Sequence, residues 1–268
     1  MTLSIAIAGA AGRMGRALIR AASADQRFSI CGGTERRETQ FLGADLGALA
    51  GLAPLFMTTS DAADHAADKA DVWIDFTTPD ATLAALEALK RTTARAAIVG
   101  TTGLSAEQEA RIAEHAKHIA IVRSGNFSLG VTLLAAFVEQ AAAKLGAGWD
   151  IEITEAHHRR KVDAPSGTAL LLGDAAARGR GKPLQELRLD PYDGVTGERP
   201  EGGIGFSVIR GGGVVGEHDV RFAAEREIIT LSHQALDRAV FADGALAAAL
   251  WAAGKPPGLY SMRDVLGL

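Results

Sequence analysis

The sequence predicts an α/β protein in two parts. The first is a parallel sheet with helices on both faces; the second is an α+β part with a mixed or antiparallel sheet. Three observations predict this. Short apolar runs alternate with amphipathic stretches from Leu3 to Val122, the pattern of repeated strand–helix units. The first apolar run passes directly into a glycine-rich turn. Beyond Gly203, three strand-like runs follow one another with no helical pattern between them.

Leu3 to Ala8 is a short apolar run suited to a parallel strand buried on both faces. It leads into Gly9, Ala10, Ala11, Gly12, Arg13, Met14 and Gly15, spaced G-x-x-G-x-x-G rather than G-x-G-x-x-G. Small residues here still let the backbone approach a pyrophosphate at the N-terminus of the next helix. That helix is read with Met14, Leu18 and Ala21 on one face. Phe28 to Gly33 is the second strand, and Glu35 lies twenty positions beyond Gly15. A carboxylate is expected there to accept from the adenine-ribose hydroxyls of NAD(H). Arg36 and Arg37 offer another use, holding the 2′-phosphate of NADP(H) or stacking on adenine, though Arg37 alone reads as a solvated turn residue. Strand, glycine turn, helix, strand and acid, in that order, predict a Rossmann-type dinucleotide site.

The alternation continues with a short helix over 60–68, a strand over 71–76 and a helix from Pro79 to Lys90, opened by Thr78-Pro79. Ala96 to Val99 is a strand that ends in Gly100, Thr101, Thr102 and Gly103. Ser105 and Gln108 form a capping-box pair for the next helix. Ile119 to Val122 is a strand that ends at Ser124, Gly125, Asn126 and Phe127. Ligands of such sheets bind beyond the carboxyl ends of the strands, so these two loops and the glycine turn should share one edge. Leu129 to Leu145 is a long apolar helix leading into the second part. Trp149 to Thr154 alternates, with Ile151 and Ile153 facing one way, and Ala169 to Ala177 reads as a helix. The charged, Gly- and Pro-rich stretch 178–203 suits a mobile excursion. The three later strands, over 205–210, 216–222 and 227–232, should join the one at Asp150. An alanine-rich helix over 239–251 and an amphipathic tail close the chain.

Composition excludes several classes. Net charge of -4 supplies no global basic field for nucleic acid. No apolar run is long enough to span a bilayer, and the N-terminal stretch lacks the pattern of a secretory signal, so a cytoplasmic enzyme is expected. Cys31 is the only cysteine, which rules out an intrachain disulfide and reads as a packed thiol. His218 and Asp219 with His233 do not form a compact ligand set; structural or interface roles are expected for them, and no metal. His65, His115 and His118 fall on helical faces read as exposed.

The densest chemistry lies in Glu155-Ala-His-His-Arg-Arg-Lys-Val-Asp-Ala-Pro-Ser-Gly-Thr-Ala169, between a strand end and a helix start. Ser166 is placed as the N-cap, which leaves Gly167 and Thr168 to present N–H groups to an anion, with the Thr168 hydroxyl beside them. Lys161 adds a mobile ammonium, and His157 and His158 are of the residue type that titrates near neutral pH. Such a set suits a substrate that carries carboxylates and must be given a proton. Asp163 is expected to fix the loop rather than act as a base.

That segment closely resembles the signature of the bacterial dihydrodipicolinate reductase family. So do the glycine turn, Asp75-Phe-Thr-Thr-Pro79, Val99-Gly-Thr-Thr-Gly103, Asn126-Phe-Ser-Leu-Gly130, Arg210-Gly-Gly, Gly216-Glu-His and the final 258–266 stretch. The resemblance implies NADH- or NADPH-dependent reduction of a cyclic dicarboxylate, 4-hydroxy-tetrahydrodipicolinate in its dehydrated form, to tetrahydrodipicolinate. It implies a homotetramer and a place in lysine and diaminopimelate synthesis. It also implies a nucleotide domain of 1–127 and 237–268, with 128–236 serving substrate binding and oligomerisation. His157 would be the acid/base and Lys161 the second proton donor, while His158, Lys161, Gly167 and Thr168 hold the dicarboxylate. Glu35 and Arg36 would meet the adenosine end, with Gly100, Thr101, Thr102 and Ser124, Gly125, Asn126, Phe127 nearer the nicotinamide. Arg160 stands where a histidine is common and Thr78 where some members carry arginine; the second departure leaves the choice of NADH or NADPH open. A dehydrogenase for another acid would keep the nucleotide half but does not need His-His-x-x-Lys before Ser-Gly-Thr.

Overall fold

The computed structural model describes residues 2–268, which divide into two compact units. One unit runs to Ser128 and resumes from Ala239 to Leu268; the other is Leu129–Arg238.

The first unit opens with β1 (Leu3–Ile7), α1 (Arg13–Ala24), β2 (Phe28–Thr34), α2 (Leu46–Ala50), β3 (Thr59–Ser60) and α3 (Ala63–Ala66). It continues through β4 (Val72–Asp75), α4 (Pro79–Leu89), β5 (Ala96–Val99), α5 (Ala106–His115) and β6 (Ala120–Arg123). The second unit contains α6 (Leu129–Lys144), β7 (Asp150–His157), α7 (Gly167–Gly179), α8 (Leu184–Leu187), β8 (Ile204–Arg210), β9 (Gly216–Ala223) and β10 (Ile228–Ala235). The chain then returns to the first unit with α9 (Ala239–Ala252), β11 (Gly258–Tyr260) and α10 (Met262–Leu266).

Seven strands in the order β11-β6-β5-β4-β1-β2-β3 form a parallel sheet. Alternate side chains go to opposite faces. Ala6, Trp73, Ala97, Val99 and Ile121 are buried against α3, α4 and α5, with Leu83, Leu86, Leu89 and Ile112. Ile5, Ile7, Ile74, Ile98 and Val122 are fully buried on the other face, which α1 and α9 cover. Successive strands run outward in one direction from β1 and in the other from β4. The switch point therefore lies between these two strands, where their carboxyl ends open a crevice.

In the second unit the sheet order is β10-β9-β7-β8; β7 is parallel to β8 and antiparallel to β9. Helices α6 and α7 pack on it through Leu134, Val138, Leu172 and Ala176 against Ile151, Ile153, Val220 and Phe222. The period-two pattern of β7 carries past the isoleucines. Glu155 and His157 follow Ile151 and Ile153 on the same buried face.

Some expectations shift. The buried face of α1 is Gly15, Leu18, Ile19 and Ala22, rotated from the one expected. The helix over 60–68 shrinks to α3, because Ser60 pairs in β3. The stretch expected as a mobile excursion holds α8 and is tied to β7, where the Arg199 guanidinium donates to Glu152 Oε2 at 2.9 Å and to the Ile151 carbonyl at 2.7 Å. His115 is buried, not exposed, and burial lowers its pKa. Cys31 is packed as expected: its thiol donates to the Ile5 carbonyl and burial pushes its pKa up to about 11. No helix among the described residues is long and apolar enough to cross a membrane.

Candidate active site

At the crevice of the first unit, the turn after β1 contains Gly9 at φ +61°, and α1 starts after an N-cap, Gly12, with no side chain to satisfy the first-turn N–H groups. A Cβ on Gly15 would collide with the Gly9 carbonyl and Ala10, and one on Gly9 would come within 2.9 Å of Thr77 Cγ2. Glycine is therefore required for the helix to seat on the turn. The residues fit a dinucleotide: helix N–H groups and a positive dipole end face the crevice without competing side chains. Beside the turn lies a cavity of about 530 Å³, lined among others by Gly9, Thr34, Glu35, Arg36, Thr77 and Thr78. That size is ordinary for a ligand pocket.

Glu35 does something the spacing did not foretell. Its Oε1 accepts from the Ala11 N–H at 2.8 Å, so the carboxylate braces the glycine turn. Arg37 is exposed and paired with Asp61 at 2.7 Å, whereas the exposed Arg36 guanidinium makes no ion pair among the described residues. Arg13 is exposed and Met14 half-buried on the first turn of α1.

The Gly100 and Ser124 loops follow β5 and β6 along the same edge, joined by Ser124 N–H to the Val99 carbonyl at 3.1 Å. A Cβ on Gly100 would strike the Phe76 ring. Thr101 and Phe127 were expected at a cofactor, but both side chains are buried with other work. Thr101 Oγ1 bonds Thr82 Oγ1 at 2.6 Å, and the Phe127 ring meets Phe76 edge-on at 5.2 Å. Only their main chains are left for a ligand. Ser124 Oγ donates to the Asn126 carbonyl, Asn126 Oδ1 accepts from Ser128 N–H, and Gly125 and Thr102 have open surroundings or exposed positions.

The second unit gathers the residues expected to handle protons at the end of β7. His157 Nδ1 lies 2.6 Å from Glu155 Oε2. Burial raises the affinity of Glu155 for a proton, but hydrogen bonds from Arg210, His157 and the Ser166 amide outweigh it, and its pKa ends below the usual carboxylate value. His158 Nε2 lies 3.0 Å from Arg238 Nη2. Arginine can only donate, so that nitrogen accepts and the proton sits on Nδ1, a buried atom with no hydrogen-bond partner among the described residues. Burial first, then Arg160 and Arg238, lowers the pKa of His158.

The Lys161 ammonium, expected to be mobile, is paired with Asp163 Oδ1 at 2.9 Å, and this contact lowers the pKa of Asp163. Ser166 caps α7 as expected, its Oγ accepting from Ala169 N–H at 3.1 Å. Nothing stands within 4 Å of a Cβ built on Gly167, so space over the helix N-terminus is open there, beside Thr168. Sequence reasoning gave no role to Arg238, and expected for His218 only a structural or interface role; His218 is buried, and its Nε2 lies 3.0 Å from Ser166 Oγ. Arg238 gave no signal, being one charge in the short connection between β10 and α9.

Residues 3–127 match the family model for the N-terminal part of dihydrodipicolinate reductase, and residues 130–266 match its C-terminal part. The chain belongs to the dihydrodipicolinate reductase family. Similar members of that reductase family include the 4-hydroxy-tetrahydrodipicolinate reductase of Parvibaculum lavamentivorans, 54% identical over 99% of this chain and 98% of the relative. The enzyme of the same name from Rhizobium meliloti is 51% identical over 99% of this chain and 98% of its own. Among solved structures, dipicolinate-bound dihydrodipicolinate reductase from Paenisporosarcina sp. TG-14 shares the fold with a TM-score of 0.79 at 23% identity, covering 98% of this chain and 99% of that one. An amine dehydrogenase from Mycobacterium smegmatis has a TM-score of 0.60 at 13% identity over 97% of this chain and 95% of its own, a likeness of fold alone. This member of the reductase family is thus a pyridine-nucleotide-dependent oxidoreductase.

Proposed function

We propose that this chain reduces 4-hydroxy-tetrahydrodipicolinate, through its dehydrated form, to tetrahydrodipicolinate, with NADH or NADPH as the reductant. The reaction belongs to lysine and diaminopimelate synthesis, and a cytoplasmic location goes with it. One observation carries the reading: an imidazole, an ammonium and the N-terminus of a thirteen-residue helix lie in one strand–loop–helix segment, from the last residue of β7 to the first of α7. In this reading the first unit binds the nucleotide and the second binds the substrate.

His158, Lys161 through its ammonium, and the Gly167 and Thr168 amides hold the two carboxylates. The nucleotide, held by Gly9, Ala10, Ala11, Gly12, Arg13 and Met14 and by the Gly100 and Ser124 loops, supplies hydride. As the conjugated imine gains it, charge builds toward the ring nitrogen, and the fixed cations and amides stabilise that charge. His157 gives a proton to the adjacent carbon, with Lys161 as second donor; such acid catalysis is worth about two to four powers of ten in rate. Arg36 makes no ion pair among the described residues, which supports a role in receiving a 2′-phosphate. Self-association into a homotetramer is supported by exposed Val208, Ile209, Ile228 and Ile229 on β8 and β10.

The test is a coupled assay in which pyruvate, aspartate semialdehyde and a condensing synthase make the substrate in place. Substrate-dependent oxidation of NADH or NADPH is expected. Tight nucleotide binding with no oxidation would leave a nucleotide sensor instead.

A further inference from the structure

We propose that Glu155, clamped by Arg210, is the positioning residue that holds His157 as its Nδ1–H form and so assigns proton transfer to Nε2. The proposal rests on the reductase reading for what Nε2 does, but not for which nitrogen carries the fixed proton.

Glu155 and His157 share one face of β7, two residues apart. Arg210 stands opposite His157 on β8 and His218 opposite Glu155 on β9, so three strands deliver one cluster. The Glu155 side chain is fully buried. Its Oε1 accepts from Ser166 N–H at 2.9 Å and from Arg210 Nη2 at 2.7 Å. Its Oε2 accepts from Arg210 Nη1 at 2.7 Å and faces His157 Nδ1 at 2.6 Å.

An ionised carboxylate only accepts, and it has about four lone-pair sites. Three are filled by groups that can only donate. The fourth partner, Nδ1, must therefore donate as well, whether the ring is neutral or charged. The proton on Nδ1 never leaves; the one exchanged with solvent and substrate is on Nε2. Donation from Nε2 leaves the neutral Nδ1–H ring, and solvent returns the proton to the same nitrogen.

Gly216 guards that nitrogen: a Cβ built there would lie 3.1 Å from His157 Nε2, so any larger residue crowds it. The Arg210 guanidinium also donates to the Asp163 carbonyl at 2.7 Å, which ties the Lys161 loop to the same clamp. The titratable and charged groups around the ring are Glu155 on β7, Arg210 on β8, His218 on β9, and His158, Lys161 and Asp163 in the loop. His218 meets His157 edge-on at 5.1 Å between ring centres. Arg210 already balances the Glu155 charge, so the carboxylate acts on His157 chiefly by direction.

Two measurements test this. Imidazole nitrogen NMR on the full-length wild-type protein, with and without bound nucleotide, should find the neutral His157 ring protonated on Nδ1. A neutral ring protonated on Nε2 would overturn the proposal whatever the activity. In Glu155→Gln one amide NH2 replaces an acceptor. Turnover should fall on the order of 100-fold or more, while nucleotide affinity stays put. The same NMR experiment on Glu155→Gln should find the Nε2–H ring gaining population, because an amide no longer compels Nδ1 to donate. A folded Glu155→Gln enzyme with unchanged turnover and an unchanged tautomer would also overturn it. A wild type that shows the Nδ1–H ring but no turnover of the substrate would overturn the reductase reading and leave this assignment standing.

Discussion

Arg36 and Arg37 are neighbours with opposite employment. Arg37 is committed to Asp61, and Arg36 makes no ion pair among the described residues. Arg36→Ala should therefore weaken NADPH roughly tenfold, the order of one lost charge-assisted contact, and leave NADH within about twofold. Titration of each nucleotide by fluorescence reads this, and equal losses would show that Arg36 serves adenine rather than a phosphate. His157 and Lys161 sit in the other unit. His157→Ala and Lys161→Ala should each lower kcat by two or more powers of ten without changing nucleotide affinity, as single-turnover kinetics with separate binding titrations would measure. A matching loss of nucleotide affinity in both would remove them from proton transfer.

Helix α7 connects capping to chemistry. Ser166 uses its Oγ twice, accepting from Ala169 N–H and meeting His218 Nε2, while its own N–H goes to Glu155. Ser166→Ala should cost about 1 kcal/mol for the cap, and the stranded buried His218 nitrogen adds about 1–3 kcal/mol more. The substrate KM should rise as the helix start frays, and Ser166→Asn, a good cap, should restore part of the stability. Denaturation of both variants followed by β7 and β9 amides would show it; a Ser166→Ala protein as stable as wild type would mean that the cap is idle.

This element was legible in sequence because Ser-Gly-Thr follows proline and precedes an apolar periodic run. The same period-two reasoning that placed Ile151 and Ile153 inward, carried two steps further, places Glu155 and His157 inward too. What could not be read was cross-strand register. Arg210 and His218 reach the site only because β8 and β9 pair with β7 at those positions, 53 and 63 residues away by number from His157 and Glu155 (210 − 157 and 218 − 155). Helix α2 also escaped, being five residues capped by Asp45, too short for a periodic signal. His115 was misread because its neighbours on α5 are charged, yet its own position turns inward beside Ile112.

The chain leaves its first unit after Ser128 and returns at Ala239, so each unit has its own core and its own acid sensitivity. In the second unit His218 is buried, and burial, with His157 beside it, lowers its pKa from the ordinary 6.5 to about 4. The unfolded chain then binds a proton below pH 6.5 that the folded unit refuses until about pH 4. Stability is full above 6.5 and falls as pH drops through that window, by on the order of 3 kcal/mol for the whole interval. Glu155 acts in the same direction further down. Its depressed pKa gives stability that is present above the unfolded carboxylate value and is lost as acid protonates it in the fold. In the first unit buried His115 adds its own loss in acid, so a single melting curve would mix the two. Native-state hydrogen exchange separates them. From pH 6.5 to 4, protection of β7 and β9 amides in wild type should decline faster than in His218→Gln, while β1 and β4 amides behave alike in both proteins. The slope decides, so a variant that is less stable throughout still answers the question. Parallel slopes for β7 and β9 in the two proteins would mean that His218 takes up its proton without unfolding anything.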